Sequence, residues 1–245
     1  MIAVQGLTKS FGRQAVLRGI DLDIPDGSIT VIIGRSGGGK SVFLRHLLGL
    51  VRPDAGRVVI DGEDVTRLRG RALDRVRGRY GVVFQGGALF DSLTCAGNVA
   101  FPLRERTRLS RAEVAKRVRE GLERVGLGDV GDKYPAEVSG GMRKRVAIAR
   151  ALVTEPAIVF FDEPTTGLDP ILVNTIHTLI RELHERLRFT AVVVSHEIPE
   201  IFQLADAVAM LHEGRIVEIG PPETIQFSSN PIVQQFIRGE PEVRI

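Results

Sequence analysis

Over the first sixty residues, hydrophobic and polar positions follow the period of half-buried strands. Ile20, Leu22 and Ile24 alternate with Asp21 and Asp23, and Pro25-Asp26-Gly27 then turns the chain. Val58-Val59-Ile60 followed by Asp61-Gly62 predicts a second hairpin. Between them, residues 29–33 form a short apolar run entering a glycine-rich loop, and residues 40–50 read as a helix. From about residue 88 to 155 the period lengthens to that of helices. Ser110 with Glu113 predicts a capping box, after which Val114, Val118 and Leu122 share one face, and a further helix starts after Ser139. Strand patterns return at 157–161, 191–195, 208–211 and 216–219. Between the first two, a helix is predicted with Asp169 as N-cap, Pro170 at its first position, and Ile176, Leu179, Ile180 and Leu183 facing inward.

The pattern predicts an α/β core interrupted by a helical insertion. We expect the core, with an N-terminal β-subdomain, over 1–87 and 156–222, the insertion over 88–155, and a tail over 223–245 within the same unit. In the tail, Ile232, Val233, Phe236 and Ile237 form an apolar face that needs covering, and Gly239 is placed to end a short helix. Packing on its own subunit is the default expectation; reaching across to a second copy is the sharper alternative.

The apolar share of 43% in 245 residues supports a sizeable core. No apolar run approaches the length of a membrane span, and the opening MIAVQGLTKSFG lacks the layout of a signal peptide. The lone Cys95 excludes an intramolecular disulfide, suits a reducing cytosol and is expected only to pack. The net charge of +3 is small. Basic clusters at 67–79 and 104–124 are read as solvated faces. Acids interleave in the second (Glu105, Glu113, Glu120, Glu123), and neither cluster carries the aromatic residues of a nucleic-acid stacking platform.

GRSGGGKS, made of Gly34, Arg35, Ser36, Gly37, Gly38, Gly39, Lys40 and Ser41, has the form of a phosphate-binding loop; Val42 continues it into the helix. Glycines let the backbone curl until several N–H groups point at a β-phosphate, and the following helix adds its positive dipole end. Lys40 can reach the β- and γ-phosphates as a point charge, and the Ser41 hydroxyl can meet Mg²⁺. The apolar strand ending AIVFFDE supplies Asp162 as a second Mg²⁺ contact, and Glu163 as the group that orients and polarises an attacking water. VSGGM opens a second helix, with Ser139 as N-cap and Gly140 and Gly141 allowing close backbone approach.

At this point the chain resembles the ABC ATPase family, whose signature is usually LSGGQ; Val138 and Met142 depart from it. The resemblance implies a P-loop NTPase (RecA-like) core of the ABC ATPase type with an inserted signature subdomain. It also implies ATP and Mg²⁺ as ligands, and a homodimer in which Ser139, Gly140 and Gly141 face the nucleotide held by the other copy. Carried onto this sequence, the family pattern makes Gln85 the Q-loop glutamine that senses Mg²⁺ and meets the transmembrane partner. Gly167-Leu168-Asp169 becomes the D-loop, His196 the switch histidine at the γ-phosphate, and Phe11 the aromatic that stacks on adenine. Arg35 stands where many members carry proline. The catalytic set so implied is Glu163, His196, Lys40 and Gln85.

The stretches FQGGALFDSLTCAGNVAFPLRE, SGGMRKRVAIARAL and DEPTTGLDPI resemble the branch serving Mce/Mla-type lipid transporters. That resemblance implies a hydrophobic cargo such as phospholipid, a multispanning permease, a membrane-anchored Mce-type lipid-binding subunit, and a place at the cytoplasmic face of the inner membrane. No nucleic-acid partner is expected. The alternatives are a transporter ATPase for a polar solute, which would share every catalytic motif, and a non-transport ABC ATPase.

Overall fold

The alternation around Ile20 places three aliphatic side chains on one face of a strand that runs Gln14–Ile24, each of them at most 5% exposed. In this computed structural model, which describes residues 1–240, the chain falls into two compact units: Met1–Arg77 with Val192–Ile245, and Gly78–Ala191.

In the first unit β1 (Ile2–Phe11) pairs antiparallel with β2 (Gln14–Ile24) and with β4 (Ala55–Ile60), which turns through Asp61-Gly62 into β5 (Glu63–Asp64). The sheet order is β2-β1-β4-β5. Asp61-Gly62 makes the expected hairpin, whereas Pro25-Asp26-Gly27 turns the chain out of this sheet, because β2 pairs with β1 and the strand after the turn joins another sheet. Positive φ values at Asp61 (50°) and Gly62 (82°) are what a tight hairpin turn requires. β3 (Ile29–Ile33) has every residue buried; it lies parallel to β9 (Ala207–His212), which turns into antiparallel β10 (Arg215–Gly220). A strand buried on both faces reads as a continuous apolar run rather than an alternation.

The helix predicted over 40–50 ends earlier: α1 spans Lys40–Leu47, and Gly49 at φ 65° turns the chain out. Within the basic stretch, α2 (Gly70–Arg77) buries Val76 alone. Near the C-terminus come α7 (Pro222–Gln226) and α8 (Pro231–Ile237). Val233 is fully buried and Gln234 Nε2 donates to Gln226 O at 3.0 Å, so α8 packs on its own unit; Gly239 at φ 66° ends it. The rest of that tail, residues 241–245, lies outside the described residues.

In the second unit β6 (Tyr80–Val83) is parallel to β7 (Ile158–Asp162), and their side chains build an aromatic core. Tyr80 meets Phe160 edge-on at 5.1 Å, and Phe161 lies 6.5 Å from Phe189. Between the two strands run α3 (Cys95–Arg106), α4 (Arg111–Arg124) and α5 (Gly140–Leu152). The capping box at Ser110 and Glu113 is present, and Val114, Val118 and Leu122 are buried beneath α4. Cys95 is buried, as a packing residue should be. α6 (Pro170–Leu187) starts at the predicted cap, with Asp169 Oδ1 accepting from Ile171 N and Leu172 N at 3.0 Å each. Its inner face differs from the expectation at one position. Leu179 is only half-buried, while Val173 and His177 are buried with Ile176, Ile180 and Leu183. β8 (Thr190–Ser195) begins in this unit and carries the chain into the first.

Candidate nucleotide site

Two glycines of the loop after β3 stand where a side chain would press on its neighbours. A Cβ at Gly34 (φ 152°) would lie 2.2 Å from Leu211 O; one at Gly39 (φ 99°) would lie 3.1–3.3 Å from atoms of Val16 and Leu17. Gly37 has φ 79°, and Gly38 N donates to Arg35 O at 3.1 Å, closing a turn. Gly39, at the N-cap of α1, makes no side-chain capping hydrogen bond. Lys40 is 4% exposed, and its Nζ donates to Gly34 O at 2.7 Å and to Arg35 O at 3.0 Å. The loop backbone therefore holds the ammonium against the cradle it forms. Ser41 and Val42 follow in the first turn, both half-buried.

Arg35, Ser36, Gly37 and Gly38 line one wall of an open cleft of about 480 Å³, with residues 14–16 among those opposite. Phe11 pairs with Gln14 across the hairpin and is 50% exposed, with Lys9 Nζ 5.4 Å from its ring centroid. The ring is exposed and offers a flat apolar face; Phe11 itself does not line the cleft, but its hairpin partner Gln14 does. These features fit a nucleotide: amides and an ammonium for phosphates, and a ring for a base. His196, also in the first unit, follows β8 and is exposed.

The second unit holds the acids. β7 delivers Asp162 half-buried at its end, and Glu163 follows with φ 48°, in the left-handed region. For a side chain other than glycine that conformation costs about 1–3 kcal/mol, and such strain concentrates at functional sites. Two donors converge on Glu163 Oε2: Gln85 Nε2 at 2.8 Å and Thr166 Oγ1 at 3.1 Å. Gln85 occupies the second position of a turn closed by Gly87 N donating to Phe84 O at 2.7 Å. The expected Q-loop glutamine and the expected water-orienting carboxylate are thus in direct contact.

At the start of α5, Ser139 Oγ accepts from Met142 N at 3.3 Å, the N-cap bond its position predicts. A Cβ on Gly140 or Gly141 would come no closer than 3.5 Å to any neighbour. Both positions therefore have room for a methyl group within this unit's own packing.

Four residues of this region escaped the sequence reading. Lys144 Nζ donates to Gln85 O, and the Arg150 guanidinium donates to Gly87 O and Ala88 O, both at 2.6 Å. Burial lowers the Arg150 pKa below its ordinary value. Thr166 meets Glu163 as above. Asn98 is fully buried and ties the segment 90–94 to α3. Its Oδ1 accepts from Phe90 N at 2.8 Å, and its Nδ2 faces Phe90 O, Leu93 O and Thr94 O at 3.0–3.2 Å. All four lie in stretches whose motifs draw attention elsewhere; for Asn98, Lys144 and Arg150 the only prior signal was a polar or charged residue on an apolar helix, and Thr166, in the turn after β7, gave none.

Comparison with known proteins agrees with this geometry. The family model described as ABC transporter matches residues 17–166. The chain is 43% identical over 238 residues to the probable ribonucleotide transport ATP-binding protein mkl of Mycobacterium leprae, covering 97% of this chain and 69% of that protein. It spans 66% of the corresponding Mycobacterium tuberculosis protein. To the intermembrane phospholipid transport system ATP-binding protein MlaF of Escherichia coli it is 39% identical, covering 98% of this chain and 89% of that protein. Among solved structures it resembles a dimeric ATP-binding cassette in a post-hydrolysis state bound to ADP and Pi. That match has TM-score 0.83 and 33% identity, covering 91% of this chain and 99% of the other. It also resembles cbiO1 of Clostridium perfringens, part of the ABC transporter complex cbiONQ, with TM-score 0.86 and 32% identity, covering 97% and 94%. With a glycine cradle that fits phosphates, an α/β core and these relatives, the chain belongs to the ABC transporter family, as an ATP-binding and ATP-hydrolysing cassette.

Proposed function

We propose that this ATPase drives the movement of phospholipid, or a comparably hydrophobic cargo, through a membrane permease. The observation that carries the cargo class is the near full-length match to MlaF, whose name specifies intermembrane phospholipid transport. It joins the resemblance of the stretches around Gln85 and Met142 to the Mce/Mla branch. The name of the mycobacterial relatives, ribonucleotide transport, favours a polar solute as the second reading. No helix among the described residues is long and apolar enough to cross a membrane, and this reading gives the bilayer-spanning work to a partner. We assign that work to a multispanning permease, accompanied by an Mce-type lipid-binding subunit. The cassette would sit at the cytoplasmic face of the inner membrane.

The residues take the following roles in this reading. Gly34 to Val42 cradle the phosphates, with Lys40 as the compact cation, and Phe11 stacks on the base. Ser41, Asp162 and Gln85 would hold Mg²⁺. Among the described residues no group of three His, Cys, Asp or Glu could hold a metal alone, but an ion that arrives with nucleotide needs only one or two protein ligands. Bound there, Mg²⁺ would neutralise charge on the transferred phosphoryl group. Glu163 orients the attacking water, and His196 meets the γ-phosphate. Ser139, Gly140 and Gly141 present the α5 amides to nucleotide held by a second copy. Glycines that the chain's own packing does not demand, and a dimeric cassette among the structural relatives, support that last assignment. Dimer closure then depends on the γ-phosphate, and its loss reopens the pair.

The decisive experiment is to purify the assembled membrane complex and identify what it carries. Co-purifying phospholipid whose transfer between vesicles requires ATP is the expected result. A complex that binds and moves a nucleotide or other polar solute instead would overturn the cargo assignment.

A further inference from the structure

The turn that carries Gln85 is fastened to the helix that opens at Ser139. Lys144 Nζ donates to Gln85 O, and Arg150 spans Gly87 O and Ala88 O with both ends of its fork. Between these two cations on α5 lies Ala147, whose Cβ a Cβ at Gly87 would meet at 3.6 Å. Residues 144, 147 and 150 recur every three positions, so they line neighbouring rows of one helix surface. Gly87 (φ 75°) and Ala88 (φ 46°) are consecutive left-handed residues, and their successive carbonyls both meet the planar Arg150 donor.

Lys144 is not a solvated charge, and Arg150 is half-buried. Lys144 is 8% exposed, and a lysine so deeply placed needs hydrogen-bond partners. One such partner is the carbonyl of the residue whose side chain grips Glu163 Oε2. The path from α5 to the carboxylate therefore runs through two hydrogen bonds and one residue, inside a single unit.

We propose that Lys144 and Arg150 are positioning residues for ATP hydrolysis, holding the Gln85 turn on the α5 helix so that Gln85 presents its amide to Glu163. The proposal rests on the reading of Gln85 and Glu163 given above. A reacting group displaced by about 1 Å can lose on the order of 10²-fold in rate, so a loosened turn acts on turnover rather than on nucleotide affinity. A shift of the α5 tip would reach the carboxylate by the same route.

The test uses phosphate release by the full-length chain in its assembled complex. Lys144→Met keeps the aliphatic stem and removes the ammonium; Arg150→Lys keeps a charge and removes the fork. Each should lower kcat about tenfold while KM for ATP stays within about twofold. Added to Gln85→Ala, Lys144→Met should change kcat by less than about twofold, because both act through one side chain. Lys144→Arg should recover at least about half of the lost turnover, a rescue that a purely structural defect would not give. Multiplicative losses in the double variant, a raised KM with normal kcat, or unchanged kcat would overturn the proposal. So would loss of cooperative melting in both single variants, which would assign the two cations to the fold. Glu163→Gln and Gln85→Ala, run in parallel, separate the two readings. If they turn over normally, the site assignment itself falls. If they are impaired and Lys144→Met multiplies with Gln85→Ala, only the positioning role falls.

Discussion

Replacing Asn98 by alanine removes a side chain that is 0% exposed and whose amide has four polar neighbours. Its two N–H groups are shared among three carbonyls, and its Oδ1 takes the Phe90 amide, so three full hydrogen bonds disappear. At about 1 kcal/mol each, with the Phe90 amide left to find water, the loss is about 3 kcal/mol. For a chain of this size that corresponds to a fall in Tm of about 6–12 °C. Asn98→Asp is the sharper probe. It keeps the acceptor for Phe90 N but turns the donor pair into an oxygen facing three carbonyls, so at pH 7.5 it should be worse than alanine. A carboxyl in that place has its folded pKa raised. The native state then holds the proton that the unfolded state releases, and the penalty grows as pH rises above the unfolded value near 4. Thermal melts of both variants at pH 5 and pH 7.5 test this. The reasoning fails if Asn98→Ala melts within about 2 °C of the parent, or if aspartate is no worse than alanine at the higher pH.

Three further outcomes are expected. Glu163→Gln should still bind ATP but lose about 10²–10⁴ in hydrolysis, the range a general base supplies; phosphate release at normal speed would refute its role. Gly34→Ala must move backbone, since its Cβ would stand 2.2 Å from Leu211 O, and should weaken nucleotide binding at least about tenfold by calorimetry. Burial holds the His46 pKa below its ordinary value, with nearby Lys9 adding to the effect and the Val42 carbonyl and Asp54 opposing it. The folded state therefore binds fewer protons than the unfolded one below about pH 6.5, and stability should fall as pH drops through that region; the urea midpoint of His46→Leu should vary less across pH 5–8 than that of the parent.

Where the fold was legible, one physical signal decided the outcome locally. The Asp21/Asp23 alternation, the all-apolar β3, the Ser110–Glu113 box and the Asp169-Pro170 start each need only a few neighbouring residues, and each appears as expected. The phosphate loop was legible for the same reason, because its glycines, Lys40 and Ser41 are consecutive. What escaped depends on partners far along the chain. Nothing near Arg150 shows that two carbonyls 62 and 63 residues earlier will converge on it. Asn98 reads as an ordinary polar residue until the segment 90–94 folds back over it. His177 took an inward place on α6 while Leu179 remained half-buried, because three-dimensional packing decides which flank of the apolar stripe is covered.

Glu163 brings a practical consequence for anyone who mutates it. Because its backbone turns through φ 48°, replacements there are screened by shape before their chemistry is heard. A branched residue such as valine would disturb the strand exit and move Asp162 with it, so its inactivity would teach nothing about proton transfer. Glycine and asparagine relax that constraint, and glutamine leaves it unchanged. Comparing these three isolates the lost carboxylate from the altered path of the chain.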